Sequence, residues 1–193
     1  MSQRTPAHPI AEAFVERWSP RAFADKPVTA EQLNSLFEAA RWAPSAYNAQ
    51  PWRFVYALKG SAEWQSFVEL LVPANQAWAQ HASALIFVIS KTIYEAAGKE
   101  PVPFPSHAFD TGSAWVSLAL QAHKDGLITH AMGGFDRERA REVLAVPAAY
   151  ELQAAVAVGY QGDAASLPEA LQSREAPSPR LPIEELAFAG RFR

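Results

Sequence analysis

Apolar residues recur along this chain at two spacings, and each change of spacing marks a new element. Leu33, Leu36, Phe37 and Ala40 stand three and four apart, which puts their side chains on one face of a helix. Thr29 ahead of them, with Gln32 three residues on, has the form of a capping box, and Pro44 ends the helix. Trp64, Phe67, Val68 and Leu71 repeat the helical period, closed by Pro73. From His107 to Asp125 the pattern predicts a long helix with Ala108, Thr111, Gly112, Trp115, Leu118, Ala119 and Ala122 on one face and Gly126 as its stop. Ile10 to Val15 reads as a short helix that breaks at "RWSPR", because Pro20 biases Ser19 away from helical angles. Asp136 caps a last helix through about Leu144. The run "ALIFVIS" from Ala84 to Ser90 is short, β-branched and unbroken, which predicts a strand buried on both faces in mid-sheet. Phe54 to Leu58, "LITHAM" and "LQAAVAVGY" read as further strands.

Two stretches lack either period. Lys91 to Ser106 holds Pro101, Pro103 and Pro105 and is expected to be irregular, in the manner of a lid. From Gln161 on the chain is rich in Pro, Ala and charge and poor in core residues, so it reads as an extended tail. With no repeat and no linker, residues 1–193 form one α+β domain, about 161–193 being the tail, whose strands and helices do not alternate regularly.

Composition narrows the function classes. A chain of 193 residues that is 49% hydrophobic and 19% charged has material for a sizeable core without staples. It contains no cysteine, which excludes disulfides, thiolate metal sites and a Cys nucleophile. A net charge of -3 carries no electrostatic footprint for nucleic acid or anionic lipid. No apolar run approaches the length of a membrane span, and the first residues lack the apolar core of a signal peptide, so a cytoplasmic, non-membrane protein is expected.

The familiar catalytic motifs are missing: there is no G-x-S-x-G elbow, no P-loop, no H-E-x-x-H and no G-x-G-x-x-G. The five histidines lack ligand spacing for zinc. No catalytic side chain and no metal site are therefore assigned. A chain of this kind is a binder, or an enzyme whose cofactor does the chemistry.

Three segments bear on that choice. In "RWSPR" the residues Arg17, Ser19 and Arg21 alternate, so in an extended segment their side chains share a side. Two guanidiniums flanking a hydroxyl make an anion cradle; the competing reading is a solvated basic turn. The loop "APSAYNAQPWRF" combines the fixed φ of Pro44 and Pro51 with the polar groups of Ser45, Asn48 and Gln50, beside the rings of Tyr47 and Trp52. Its competing reading is a turn whose side chains satisfy their own backbone. In "MGGFD", Gly133 and Gly134 after Met132 let bare backbone N–H groups approach a ligand, and a simple tight turn explains them equally well.

Together, R-x-S-x-R, A-P-S-x-x-N-x-Q-P-W-x-F and G-G-F-D, in this order and spacing, resemble the FMN-dependent nitroreductase family along nearly the whole chain. The resemblance implies a nitroreductase-like fold: a central mixed β-sheet flanked by helices, with a C-terminal tail wrapping a dimer partner. It implies that Arg17, Trp18 and Ser19 hold the FMN phosphate and ribityl end, and that Arg21 approaches the pyrimidine side. Pro44, Ser45 and Asn48, with Gln50 behind, would cover the cofactor from the other subunit. Met132, Gly133 and Gly134 would line the ring edge near N5, and Arg180 in "SPRLPIEEL" would be a second phosphate contact. Ser178 and Trp78 stand where some members carry lysine, and Asn75 is a further candidate for the ring. The activity implied is that of a homodimeric oxidoreductase with shared sites, passing hydride from NAD(P)H through flavin N5 to a small-molecule acceptor such as a nitroaromatic or quinone in ping-pong fashion. Enal reduction, dehalogenation or flavin-dependent oxidation on the same fold, and a flavin-binding module without turnover, are the alternatives.

Overall fold

The structure, a computed structural model, describes residues 4–192. The first half of the chain forms α1 (Glu12–Glu16), α2 (Ala30–Arg41), β1 (Trp52–Leu58), α3 (Trp64–Glu69), α4 (Pro73–Ala79) and β2 (Ala84–Lys91). The second half adds β3 (Ile93–Tyr94), β4 (Val102–Pro103), α5 (His107–Lys124), β5 (Ile128–Met132), α6 (Arg137–Val143), β6 (Tyr150–Gly159) and α7 (Glu169–Gln172).

Four strands pair in the order β1-β2-β6-β5. The unbroken apolar run of β2 lies in the middle, as its composition requires, because both of its faces are covered. Alternate residues go to opposite sides. Leu85, Phe87 and Ile89 join Phe67, Leu70, Trp78 and Phe135 beneath one face, while Ala84, Ile86 and Val88 join Leu33, Leu36, Leu118 and Ala122 beneath the other. The sheet is thus the middle of three layers, with α3, α4 and α6 on one side and α2 and α5 on the other. Phe87 is fully buried with Phe67 and Phe135 set edge-on to it. Truncating it to Ala would cost about 3–5 kcal/mol.

Local chemistry sets the helix ends. The Thr29 side chain accepts from Gln32 N–H and the Gln32 side chain accepts from Thr29 N–H, a complete capping box. Asp136 accepts from Arg139 N–H at the start of α6. Gly126 takes φ +74° just past α5, a left-handed stop that costs a glycine nothing.

Several expectations change. The pairings β1–β2, β2–β6 and β6–β5 are all antiparallel, so the main sheet is antiparallel and not mixed. Pro73 does not merely close a helix: it opens α4 from the first helical position, where its missing N–H has no partner to lose. The Lys91 to Ser106 stretch is not wholly irregular, since β3 and β4 pair as a short hairpin and Phe104 after it is buried. On α5 the buried positions are Asp110, Thr111, Ala114, Leu118, Ala119 and Ala122. Ala108 and Gly112 face outwards instead, in an exposed strip with Phe109 (81% exposed) and Val116. The tail carries α7 and sends Leu167 into the core. Among the described residues no helix is long and apolar enough to cross a membrane.

Candidate functional site

The segment after α1 is held in place from two sides. Pro20 is buried, and its carbonyl lies 3.0 Å from Nδ1 of His130 on β5. Downstream, Ala24 N–H donates to the Tyr160 carbonyl and Gly162 N–H to the Ala22 carbonyl. A Cβ on Gly162 would stand 2.6 Å from the Phe23 carbonyl carbon, so the chains approach here only because that residue is glycine. From the tail, Oε1 of Glu175 accepts the N–H groups of Arg21 and Ala22 at 2.6 and 2.9 Å. Its other oxygen lies 3.8 Å from Nη1 of Arg21 and has no hydrogen-bond partner among the described residues, on a side chain only 2% exposed. One buried carboxylate thus ties the tail to the segment and faces the Arg21 guanidinium.

These constraints shape a cleft of about 390 Å³ lined by Arg17, Trp18, Ser19 and Arg21 together with Arg4, His130, Arg174, Ala176, Ser178 and Arg180. Five guanidiniums therefore meet at one opening, from the N-terminal arm, the post-α1 segment and the tail. Arg17 Nη1 lies 3.4 Å from the Ser19 hydroxyl. Burial holds the Arg17 guanidinium below its ordinary range, and the neighbouring charges of Arg180 and then Arg4 add to the effect. Arg4 is lowered by burial and by Arg180 in the same way. Like charges crowded in this manner favour an anion between them. The solvated-turn reading of "RWSPR" does not describe this arrangement.

His130 lies in the wall of the cleft, its ring centroid 4.7 Å from that of Trp78. Burial pushes its imidazole below the ordinary range and the Arg21 charge adds to this, while the carbonyls of Pro20 and Ser19 and the Glu175 carboxylate pull it back up. Trp78 itself is buried against Phe23 and belongs to the core. Two residues beyond His130, Met132 turns its side chain into the same core. Gly133 is exposed. Among the described residues neither Gly133 nor Gly134 donates its N–H to a protein acceptor. The Gly134 carbonyl accepts from Val72 N–H at 3.1 Å and from Asn75 Nδ2 at 2.9 Å. A Cβ at Gly134 would stand 2.7 Å from that Asn75 nitrogen, so this glycine lets α4 close on the turn.

The polar loop is built differently and lies apart from the arginines. Ser45 Oγ accepts the Gln50 N–H, Gln50 Nε2 donates to the Asn48 carbonyl, and Arg53 Nη1 donates to the Gln50 carbonyl. In this respect the self-satisfying turn describes it well. Its backbone is another matter: Tyr47, Asn48 and Gln50 have φ of 55, 53 and 47°, three of the four positive values among described non-glycine residues. Such angles cost energy and persist where surroundings enforce them. The enforcing contact is Asp110, a buried carboxylate on the first turn of α5 whose Oδ2 accepts Ala46 N–H at 3.1 Å and the Ser106 hydroxyl at 3.2 Å. Tyr47, 82% exposed, packs its ring at a tilt against Tyr94, and Tyr94 likewise against buried Phe104, so the β3–β4 hairpin buttresses the loop. Asn48 and Tyr47 edge a smaller cleft of about 270 Å³ with Arg53, Lys91 and Tyr94. Within one chain, Pro44, Ser45, Asn48 and Gln50 therefore do not join Arg17, Ser19, Arg21 and Arg180.

Arg4, Arg174, Glu175, His130 and Asp110 escape a reading of motifs. Arg4, Glu175, His130 and Asp110 bond partners far away in the chain, and Arg174 joins them only through the folding of the tail onto the cleft.

Comparison with known proteins agrees with the motif pattern. The sequence model of the Nitroreductase family matches residues 14–160. A crystal structure described as an oxidoreductase containing FMN is 47% identical, with a TM-score of 0.96 over 98% of this chain and 96% of that one. An NADH dehydrogenase of Thermus thermophilus is 29% identical over 216 residues, covering 97% of this chain and 99% of the relative. A putative nitroreductase from Desulfovibrio desulfuricans, solved in complex with FMN, shares the fold with a TM-score of 0.74 at 23% identity, over 97% of this chain and 100% of that one.

Proposed function

The chain belongs to the nitroreductase family, and we propose that it works as a homodimeric FMN oxidoreductase that takes electrons from NADH or NADPH and passes them to a nitroaromatic or quinone acceptor. The observation that carries this reading is the cleft in which Arg17, Ser19, Arg21 and Arg180 converge. Its donor set fits FMN: guanidiniums and a hydroxyl suit a phosphate dianion, and the Gly133 turn three residues beyond His130 offers N–H groups unpaired among the described residues, of the kind a flavin edge requires. The 47% identity to an FMN-containing oxidoreductase supports the same assignment.

When bound, FMN supplies hydride acceptance and donation at N5. The chain supplies position and charge. Arg17, Trp18, Ser19 and Arg180 grip the phosphate and ribityl end. Arg21, fixed by Glu175, presents positive charge to the pyrimidine side, where negative charge develops. Met132, Gly133 and Gly134 frame the N5 edge, the first by filling the core beneath it and the glycines by leaving backbone exposed. No side chain has to act as acid or base, which suits a chain without the familiar catalytic motifs. Donor and acceptor take turns at one face, so ping-pong kinetics is expected.

The second subunit enters through the separation of the two halves. The loop with Pro44, Ser45, Asn48 and Gln50 is rigid, exposed and away from the arginines of its own chain, which suits a lid for a neighbour's cleft. The exposed strip Phe109, Gly112 and Val116 on α5 beside it is apolar enough to be an interface. The tail beyond Arg180 leaves Leu181, Ile183 and Leu186 exposed, in keeping with a segment that embraces the partner.

The test is direct. Purified protein should be yellow, release FMN on denaturation, lose its flavin absorbance with NADH or NADPH under anaerobic conditions, and regain it when a quinone or nitroaromatic is added. A colourless protein that takes up no flavin would remove this function.

A further inference from the structure

Arg4 stands outside the three motifs, yet it occupies the wall of the arginine cleft. Its guanidinium is held by three backbone carbonyls: Nε donates to Ser178 at 3.0 Å, and Nη1 to Val15 at 2.9 Å and Arg17 at 3.0 Å. One side chain thus staples the N-terminal arm to the end of α1 and to the tail. The remaining nitrogen, Nη2, has no hydrogen-bond partner among the described residues. Burial lowers both Arg4 and Arg17, and the nearby Arg180 charge adds to the effect on each. A surface arginine that only stapled the arm would gain nothing from lying beside two other cations. A guanidinium oriented by carbonyls on one edge, with its other edge free in a cationic cleft, is a preorganised anion ligand.

We propose that Arg4 is a third arginine for the phosphate of the cofactor, and that it makes this chain discriminate FMN from flavins lacking the phosphate. The inference rests on the assignment of the cleft to FMN. With Nε and Nη1 committed to carbonyls, Nη2 is the group that reaches the phosphate oxygens alongside Arg17 and Arg180. Because the same side chain bonds Ser178, phosphate and tail are linked, and filling the cleft tightens the tail's hold on the arm.

The test compares two ligands that differ only in the phosphate. Full-length protein stripped of flavin is titrated with FMN and with riboflavin by flavin fluorescence, as wild type, Arg4→Met and Arg4→Lys. Arg4→Met is expected to weaken FMN by about tenfold or more while riboflavin stays within about twofold, since a charge-assisted contact to phosphate is lost. Arg4→Lys should fall between, keeping the charge and losing the fork. Hydrogen exchange at Ser178 and its neighbours should slow when wild type binds FMN and respond much less in Arg4→Met. An equal loss for both flavins, or FMN affinity unchanged in Arg4→Met, would overturn the inference and leave the FMN assignment intact. A wild type that binds neither flavin would remove that assignment and this inference with it.

Discussion

The arginine cleft and the Ser45–Gln50 loop solve opposite problems. In the cleft, ordinary backbone carries five like charges that repel until an anion arrives. In the loop the polar groups are already satisfied among themselves, and the tension is in the backbone, with left-handed angles at Tyr47, Asn48 and Gln50 enforced through Asp110. On the proposed reading, one region is completed by a charged ligand and the other is a shape held ready for a surface. The difference teaches that unfinished electrostatics suit a place for a ligand, whereas finished hydrogen bonding on a strained backbone suits a surface that covers one.

The largest expected effect breaks the first half. Arg17→Ala should weaken FMN by roughly 2 kcal/mol or more, about thirtyfold in Kd, and leave riboflavin nearly unchanged. A proportional loss of both, read by fluorescence titration, would make Arg17 a scaffold residue. Next comes the enforcing contact of the second half. Asp110→Ala leaves the Ala46 N–H and the Ser106 hydroxyl without their acceptor, at a cost of about 1.5 kcal/mol. Hydrogen exchange should accelerate across 44–50, turnover should fall, and the FMN to riboflavin affinity ratio should hold. A change in that ratio would show that the two regions are not separable in the way described.

A smaller effect runs the other way. Gln50→Gly removes a left-handed strain and should raise stability by about 1 kcal/mol, less whatever the Gln50 side-chain bond to Asn48 contributes. Thermal melts settle it, and a lower Tm would mean that bond outweighs the strain. The smallest effect concerns pH. His130 has a folded pKa below its ordinary 6.5, so the neutral form is favoured by folding. The associated stability is fully present above pH 6.5 and is lost as the pH falls through the folded pKa. Comparison of Tm at pH 7.5 and pH 5 should show a smaller acid loss in His130→Gln than in wild type. An identical pH dependence would remove His130 from the account.

How much of this was legible beforehand follows physical range. The Thr29 cap, the Gly126 stop and the two-faced burial of Ala84 to Ser90 depend on neighbours a few residues away, and the sequence reading has them right. The second role of Pro73, opening α4 after the preceding helix has ended, was not legible because proline both ends helices and begins them. Strands of two residues, as in β3 and β4, are shorter than any period. The outward turn of Gly112 was hidden because small residues mark close packing without telling against what. For the site, Arg17, Ser19 and Arg21 were visible through their alternation and Gly134 through its motif. Glu175 and Arg4 were not, because their bonds span 154 and 174 residues. The inward turn of Met132 into the core was not legible, since a strand end does not announce which face its last side chain takes.

The central claim, that the cleft of one chain and the loop of another make one site, is tested most directly by mixing impaired chains. Arg17→Ala damages only the cleft and Asp110→Ala only the loop. In a mixed dimer one site carries both defects and the other carries neither. After subunit exchange at equal concentrations, random pairing of a two-fold dimer should restore about a quarter of wild-type NAD(P)H:quinone activity above the sum of the separate variants. If both residues served the site of their own chain, every site in the mixed dimer would be damaged once and no activity would return, which would contradict the shared-site account.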